Sequence, residues 1–174
     1  GRSTKLGALL QSYLWWGSLE SAELPEVAAI LFTSGSESLP KAVPLTHTNI
    51  LAELRDILSV VEKTVSGRDR LLAMLPPFHS FGLAGNVVLP LVTGLPAVYH
   101  PNPTEGPVLA QTLGSYRATV VLATPTFLTG VLRAATHEQA SSLRLAVTGA
   151  EACPPRLYDL VAELCPEAIV LEGY

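Results

Sequence analysis

The amino-acid sequence predicts an α/β fold: a mainly parallel sheet with helices on both of its faces. Short apolar runs of strand length alternate along the chain with longer segments in which apolar residues recur every three or four positions. Hydrophobic residues make up 48% of the 174 residues and charged residues 15%, so the chain can bury a core and is not of the disordered class.

The elements follow one another in a regular order. The first predicted strand is the continuous apolar run 28–33, which we expect to be covered on both faces. An amphipathic helix follows, because apolar residues from Ile50 to Val61 recur on one face and charged residues fill the other. The remaining predicted strands are 71–75, 97–99, 119–123, 143–147 and 168–171, and the helices between them are 82–92, 107–117, 125–135 and 154–164. Strands that alternate with helices imply crossovers and parallel pairing, with ligands at the carboxyl ends of the strands.

The domain organisation is predicted from composition. Residues 1–25 are mixed in character and are interpreted as a leader or linker, whereas residues 26–174 carry the regular pattern. The chain begins with Gly1 rather than methionine, and 171–174 has the composition of a strand entering a loop. We therefore expect a portion of a longer protein, truncated at its C-terminal end.

Charge and composition exclude several function classes. The net charge of -4 and the scattered basic residues give no basis for nucleic-acid binding. The stretch 71–104 has no charged residue, but prolines and glycines divide it, which favours a buried core over a transmembrane segment. Peripheral contact with a membrane stays open. The two cysteines are expected to be free thiols in a reducing, cytoplasmic compartment, and the four histidines have no metal-ligand spacing, so no metal site is predicted.

The segment 33–41 (TSGSESLPK) is the strongest candidate for chemistry. It follows the first strand, and its small hydroxyl residues and glycine let the backbone approach an anion closely, while Lys41 can supply a positive charge to a phosphate. The spacing is neither that of a Walker loop nor that of a nucleophile elbow. A plain polar turn between a strand and a helix is the alternative from composition alone.

Four segments in order resemble the AMP-forming acyl ligase superfamily, which includes acyl-CoA synthetases, luciferases and peptide-synthetase adenylation domains. They are 31–36 (LFTSGS) with Pro40-Lys41, 76–82 (PPFHSFG), 148–151 (TGAE) and 171–174 (LEGY). The wider run 31–174 is similar to bacterial long-chain fatty-acid ligases and acyl-acyl carrier protein synthetases. The resemblance implies that residues 26–174 are a partial AMP-binding (adenylation) domain, a subdomain of the N-terminal domain of an adenylate-forming enzyme.

The resemblance also implies roles for individual residues. The ATP phosphates would be held by Thr33, Ser34, Gly35, Ser36 and Lys41. His79 would position the acyl carboxylate, so that Lys41 and His79 are the expected catalytic residues. The adenine pocket would be formed by Gly149, Ala150, Glu151, Gly173 and Tyr174. Without the motif, His79 would be interpreted as a core histidine and Glu151 as a first-turn acid of the next helix.

The function implied is activation of a carboxylic acid, a medium- or long-chain fatty acid, by ATP and Mg²⁺, followed by acyl transfer to CoA or acyl carrier protein. The Mg²⁺ ligands are expected largely outside this chain, which is expected to be inactive alone. Glu37-Ser38 stands where the family usually has Thr-Gly, and places a negative charge near the phosphates. Two alternatives stay open: an amino-acid adenylation domain and a noncatalytic nucleotide- or acyl-binding module.

Overall fold

The computed structural model describes residues 23–33 and 39–173, and the predicted α/β class is confirmed. Five strands form a sheet in the order β4-β3-β5-β6-β7, and every neighbouring pair in it is parallel. The strands are β3 (Leu71–Ala73), β4 (Ala97–Tyr99), β5 (Val120–Ala123), β6 (Leu145–Gly149) and β7 (Ile169–Gly173). Each lies within two residues of its predicted boundaries. The predicted leader or linker falls mostly on residues 1–22, outside the described residues.

The helices connect these strands across both faces of the sheet. They are α1 (His47–Thr64), α2 (Ser80–Gly82), a π-helical turn (Leu83–Val88), α3 (Leu89–Thr93), α4 (Gly106–Ser115), α5 (Pro125–Ala134), α6 (His137–Ala140) and α7 (Pro155–Leu164). The predicted helix 82–92 is therefore three consecutive helical segments, and the short α6 was not predicted. None of the helices in the described part of the chain is long and apolar enough to cross a membrane.

Alternation along the strands divides the core into two layers. Leu72, Val121 and Ala146 face a fully buried layer beneath α4, α5 and α7. Leu71 and Val120 face the other layer, toward α2 and the residues that follow α3. Period-two alternation places successive side chains on opposite faces, so both faces of these short strands need covering. Both cysteines are free, as predicted, and burial raises the pKa of the Cys165 thiol to about 11.

The first strand departs from the prediction. β1 (Val27–Thr33) pairs antiparallel with an unpredicted strand, β2 (Lys41–Thr46), in a separate two-stranded sheet. Ile30 is 55% exposed and Phe32 65%, so the expectation of a strand covered on both faces is wrong. β2 escaped prediction because Pro44 lies inside it. A proline cannot donate to a ladder, but a two-stranded ribbon consists only of edges, where proline is tolerated.

A buried carboxylate stabilises the amino-terminal edge of the parallel sheet. Asp69, 2% exposed, accepts from the Ser66 hydroxyl at 2.9 Å and from the Arg144 guanidinium at 2.9 Å. Burial acts to raise the pKa of Asp69, but the Ser66 N–H, the Thr119 and Ser66 hydroxyls and the Arg144 charge together lower it below 3.8.

Asp69 should therefore make stability depend on acid. Because the pKa is lower in the folded state, its contribution is complete above pH 3.8 and is lost as the pH falls through the folded-state value. We expect Asp69→Asn to lower the free energy of unfolding at pH 7 by about 1–3 kcal/mol and to weaken its decline toward pH 3. Urea unfolding at both pH values tests this, with the exposed acid Glu163→Gln on α7 as control. Equal acid dependence in wild type and Asp69→Asn would contradict it.

Candidate functional site

A cleft of about 930 Å³ separates the β2–α1 unit from one face of the parallel sheet. Its walls are mostly aliphatic and come from four parts of the fold: β2, α1, the helical segments after His79, and the strands β5, β6 and β7. The residues that line it are Val43, Pro44, Leu45, Asn49, Ile50, Glu53, Asp56, Ile57, Val65, Ser80, Phe81, Leu83, Ala84, Leu89, Leu95, Val120, Leu122, Leu145, Val147, Gly149, Ala150, Leu171, Glu172 and Gly173.

The carboxyl ends of β6 and β7 bring three predicted site residues together at this cleft. Gly149 and Gly173 are direct partners in the parallel ladder, and Ala150 follows. A Cβ on Gly149 would lie 2.8 Å from the Gly173 carbonyl oxygen and 3.3 Å from the Phe81 ring, so only glycine allows this approach. Ala150 has a φ of 66°, in the left-handed region that disfavours a side chain. Ala150 is exposed and its backbone is held in an uncommon conformation, of a kind that clusters at functional sites.

Glu151 lies in the same loop but contacts a helix. Its carboxylate accepts from the Thr126 hydroxyl at 2.6 Å and from the Thr126 N–H at 3.3 Å, in the first turn of α5. A negative charge is favourable at a helix N-terminus. The alternative interpretation as a first-turn acid of the following helix is wrong, since the first turn of α7 has no acid. Glu151 connects the β6–α7 loop to α5.

The candidate phosphate loop connects the two strands of the hairpin. Thr33 and Lys41 are direct partners at the loop end of the hairpin, and Lys41 is exposed. The loop therefore does not lead directly from a strand to a helix, because β2 intervenes. The predicted phosphate-binding residues Ser34, Gly35 and Ser36 lie outside the described residues, as does Tyr174.

His79 precedes α2 at the edge of the cleft. It is exposed, and its ring centroid lies 4.6 Å from that of Phe78. Its N–H donates to the Pro76 carbonyl at 3.2 Å, and its own carbonyl accepts from the Leu83 N–H at 2.8 Å. The alternative of a core histidine is excluded by this exposure. The two residues that follow it, Ser80 and Phe81, line the cleft.

Two features of this region were not identified from sequence. The Tyr158 hydroxyl donates to the Glu172 carboxylate at 2.5 Å, and this hydrogen bond raises the pKa of Tyr158 well above its usual range. Asn86 is buried, although it is the one polar side chain in the run 83–92. Its position among apolar residues is the sequence feature from which a buried, hydrogen-bonded role could have been predicted. Among the described residues, no group of three or more His, Cys, Asp or Glu side chains is arranged to hold a metal ion.

Comparison with known proteins gives a consistent result. The family model described as AMP-binding enzyme matches residues 10–174. The chain is 34% identical over 134 residues to the medium-chain fatty-acid–CoA ligase of Escherichia coli (strain K12), which covers 76% of this chain and 23% of that one. It is 32% identical over 131 residues to the 2-succinylbenzoate–CoA ligase of Bacillus velezensis, and this match covers 75% of this chain and 26% of that one. The solved nonribosomal peptide synthetase FmoA3 shares the fold, with a TM-score of 0.75 and 24% identity over 87% of this chain and 16% of that one. The chain thus spans about a quarter of the length of these two ligases.

Proposed function

The chain belongs to the AMP-binding enzyme family, within the AMP-forming acyl ligase superfamily, and on that premise we propose that it forms part of a longer fatty-acid ligase. In the proposed reaction a medium- or long-chain fatty acid and ATP give an acyl-adenylate and pyrophosphate. The acyl group then passes to the thiol of CoA or of an acyl carrier protein, with loss of AMP. We propose that residues 26–174 are part of the adenylation domain and that the enzyme acts in the cytoplasm.

The apolar cleft is the observation that carries this proposal. A mostly aliphatic groove of about 930 Å³ suits a hydrocarbon chain, because burying each methylene contributes about 0.8 kcal/mol. The groove meets the Gly149–Ala150 turn and Gly173, and the exposed residues Ala150 and Gly173 offer polar backbone contacts there. An acyl chain in the groove would therefore place its carboxyl group near the proposed nucleotide loop.

We propose distinct roles for the residues around this junction. Lys41, with Thr33 and the loop residues Ser34, Gly35 and Ser36, binds the ATP phosphates and offsets negative charge as the carboxylate attacks the α-phosphorus. His79 positions that carboxylate. Adenine lies against the loop 149–151 and against Gly173 and Tyr174. Positioning and charge stabilisation account for most of the catalysis of such a transfer.

The remaining components are assigned to the longer protein. Mg²⁺ would spread charge over the phosphates, and we propose that its ligands lie largely outside residues 1–174. The same applies to the binding surface for the acyl acceptor. We therefore expect residues 1–174 alone to show no turnover.

Acid-dependent ATP–pyrophosphate exchange with the full-length protein tests the proposal. The panel is acetate, decanoate, palmitate, an aromatic acid and a set of amino acids. Exchange with decanoate or palmitate, and not with acetate, is expected, because only the longer chains fill the apolar groove. No exchange with any acid, despite tight ATP binding, would favour a noncatalytic binding module instead.

Amino-acid adenylation is the second candidate, and one observation favours it. Glu53 and Asp56 of α1 lie on the cleft wall, where a carboxylate can bind a substrate ammonium group. The segment 78–81 (FHSF) offers no such acid beside His79. Exchange with an amino acid that is lost in Glu53→Gln or Asp56→Asn would replace the fatty-acid assignment.

A further inference from the structure

Asn86 connects the helical wall of the cleft to the end of β3. It lies in the π-helical turn and is 1% exposed. With its amide oxygen oriented toward the sheet, that oxygen accepts from the N–H of Met74 at 3.1 Å and of Leu75 at 2.7 Å. Both donors lie just beyond the last residue of β3, where the chain leaves the sheet. Without Asn86 they would be buried and unpaired.

A third hydrogen bond is made by the backbone of the same residue. The Tyr99 hydroxyl, at the end of β4, donates to the backbone carbonyl of Asn86 at 2.9 Å. The π-helical turn is thus joined to the carboxyl ends of two neighbouring strands. Such wide turns are rare and occur often at functional sites.

The four residues 76–79 lie between these anchors and the cleft. They start directly after Leu75 and end at His79, whose carbonyl accepts from Leu83, the first residue of the π-helical turn. A Cβ on Gly82 would lie 2.0 Å from the Pro76 carbonyl oxygen, so this turn packs directly against the α2 backbone. His79 is therefore held from both ends of the segment 76–79, and Asn86 is the side chain that joins those two ends.

We propose that Asn86 is a positioning residue that sets the place of His79 at the mouth of the cleft. This inference rests on the proposed function, in which His79 positions the acid for attack. Removing the amide would release the end of β3 and let the 76–79 turn move relative to the groove. A misplacement of this kind affects use of the acid and leaves ATP binding intact.

The test compares Asn86→Leu with two other variants of the full-length protein. Asn86→Asp keeps an oxygen acceptor for both N–H groups. Asp69→Asn removes the charge of a similarly buried side chain and its ion pair with Arg144 at the opposite edge of the sheet, and so controls for loss of stability alone. We expect Asn86→Leu to raise the KM for palmitate, or to lower kcat, by about tenfold, with the Kd for ATP within about twofold of wild type. Asn86→Asp should recover part of the loss.

A structural readout separates this inference from the proposed function. With histidine ¹³C-labelled at Cε1, the His79 signal is assigned by its absence in His79→Gln. We expect that signal to shift in Asn86→Leu and to stay in place in Asp69→Asn. A shifted signal in a protein that exchanges with no acid would refute the ligase and keep the positioning role. An unmoved signal, or a loss of activity no larger than that of Asp69→Asn, would overturn the positioning role.

Discussion

Replacing Lys41 with alanine is expected to lower acid-dependent ATP–pyrophosphate exchange of the full-length protein by about 10²–10³-fold. Lys41 is the first residue of β2 and is paired with Thr33, so the hairpin fixes the backbone at both ends of the candidate phosphate loop. A charge held in this way can act on phosphate oxygens without reorganising during the reaction. Lys41 is exposed in the folded chain, so its removal should change activity with little loss of stability.

Two variants sharpen this test. Lys41→Arg keeps the charge but replaces a compact ammonium with a planar group, and should recover part of the activity. Arg133→Ala removes an exposed cation from α5, far along the chain from the hairpin, and should leave exchange within about twofold of wild type, as is usual for surface changes. A Lys41→Ala enzyme that retained more than a third of wild-type exchange would remove Lys41 from the proposed site.

The parallel sheet could be predicted because its strands are short apolar runs bounded by turn residues. β5 and β6 are buried on both faces, so their residues are almost all apolar, with Thr148 as the buried polar exception. The same criterion failed for β1. Its seven residues are just as apolar, yet most are exposed. An uninterrupted apolar run shows that a strand can be buried, but which surface covers it depends on other parts of a protein.

The candidate site could be predicted where it depends on strand order alone. Gly149 and Gly173 are the last residues of β6 and β7, and carboxyl ends of neighbouring parallel strands share one edge, so their meeting follows from topology. The contact of Glu151 with Thr126 depends instead on how the β6–α7 loop turns, which includes the left-handed Ala150. The sequence pattern also gave no indication of the π-helical turn, because one extra residue in a wide turn leaves the helical periodicity of 82–92 almost unchanged.

Replacing Gly82 with alanine should lower the free energy of unfolding more than any other single added methyl group in the described part of this fold. The Gly82 backbone has φ −68° and ψ −40°, which any residue can adopt, so conformational strain is not the cause. The new Cβ would instead lie 2.0 Å from the Pro76 carbonyl oxygen and 2.7 Å from its carbon. Backbone atoms cannot rotate away as a flexible side chain can, so α2 and the 76–79 turn must separate. We expect the free energy of unfolding to fall by about 3 kcal/mol, at the upper end for overpacking.

Gly130 in α5 provides the matched control, because it is also helical and a Cβ there meets no atom within 4 Å. Gly130→Ala should raise stability by about 0.5–1 kcal/mol, since alanine loses less conformational freedom in a helix than glycine does. The two substitutions add the same methyl group and should change the urea midpoint in opposite directions. A Gly82→Ala protein as stable as wild type would mean that the 76–79 turn moves freely against α2. The position of His79 would then not be fixed by this contact, and Asn86 alone would have to maintain it.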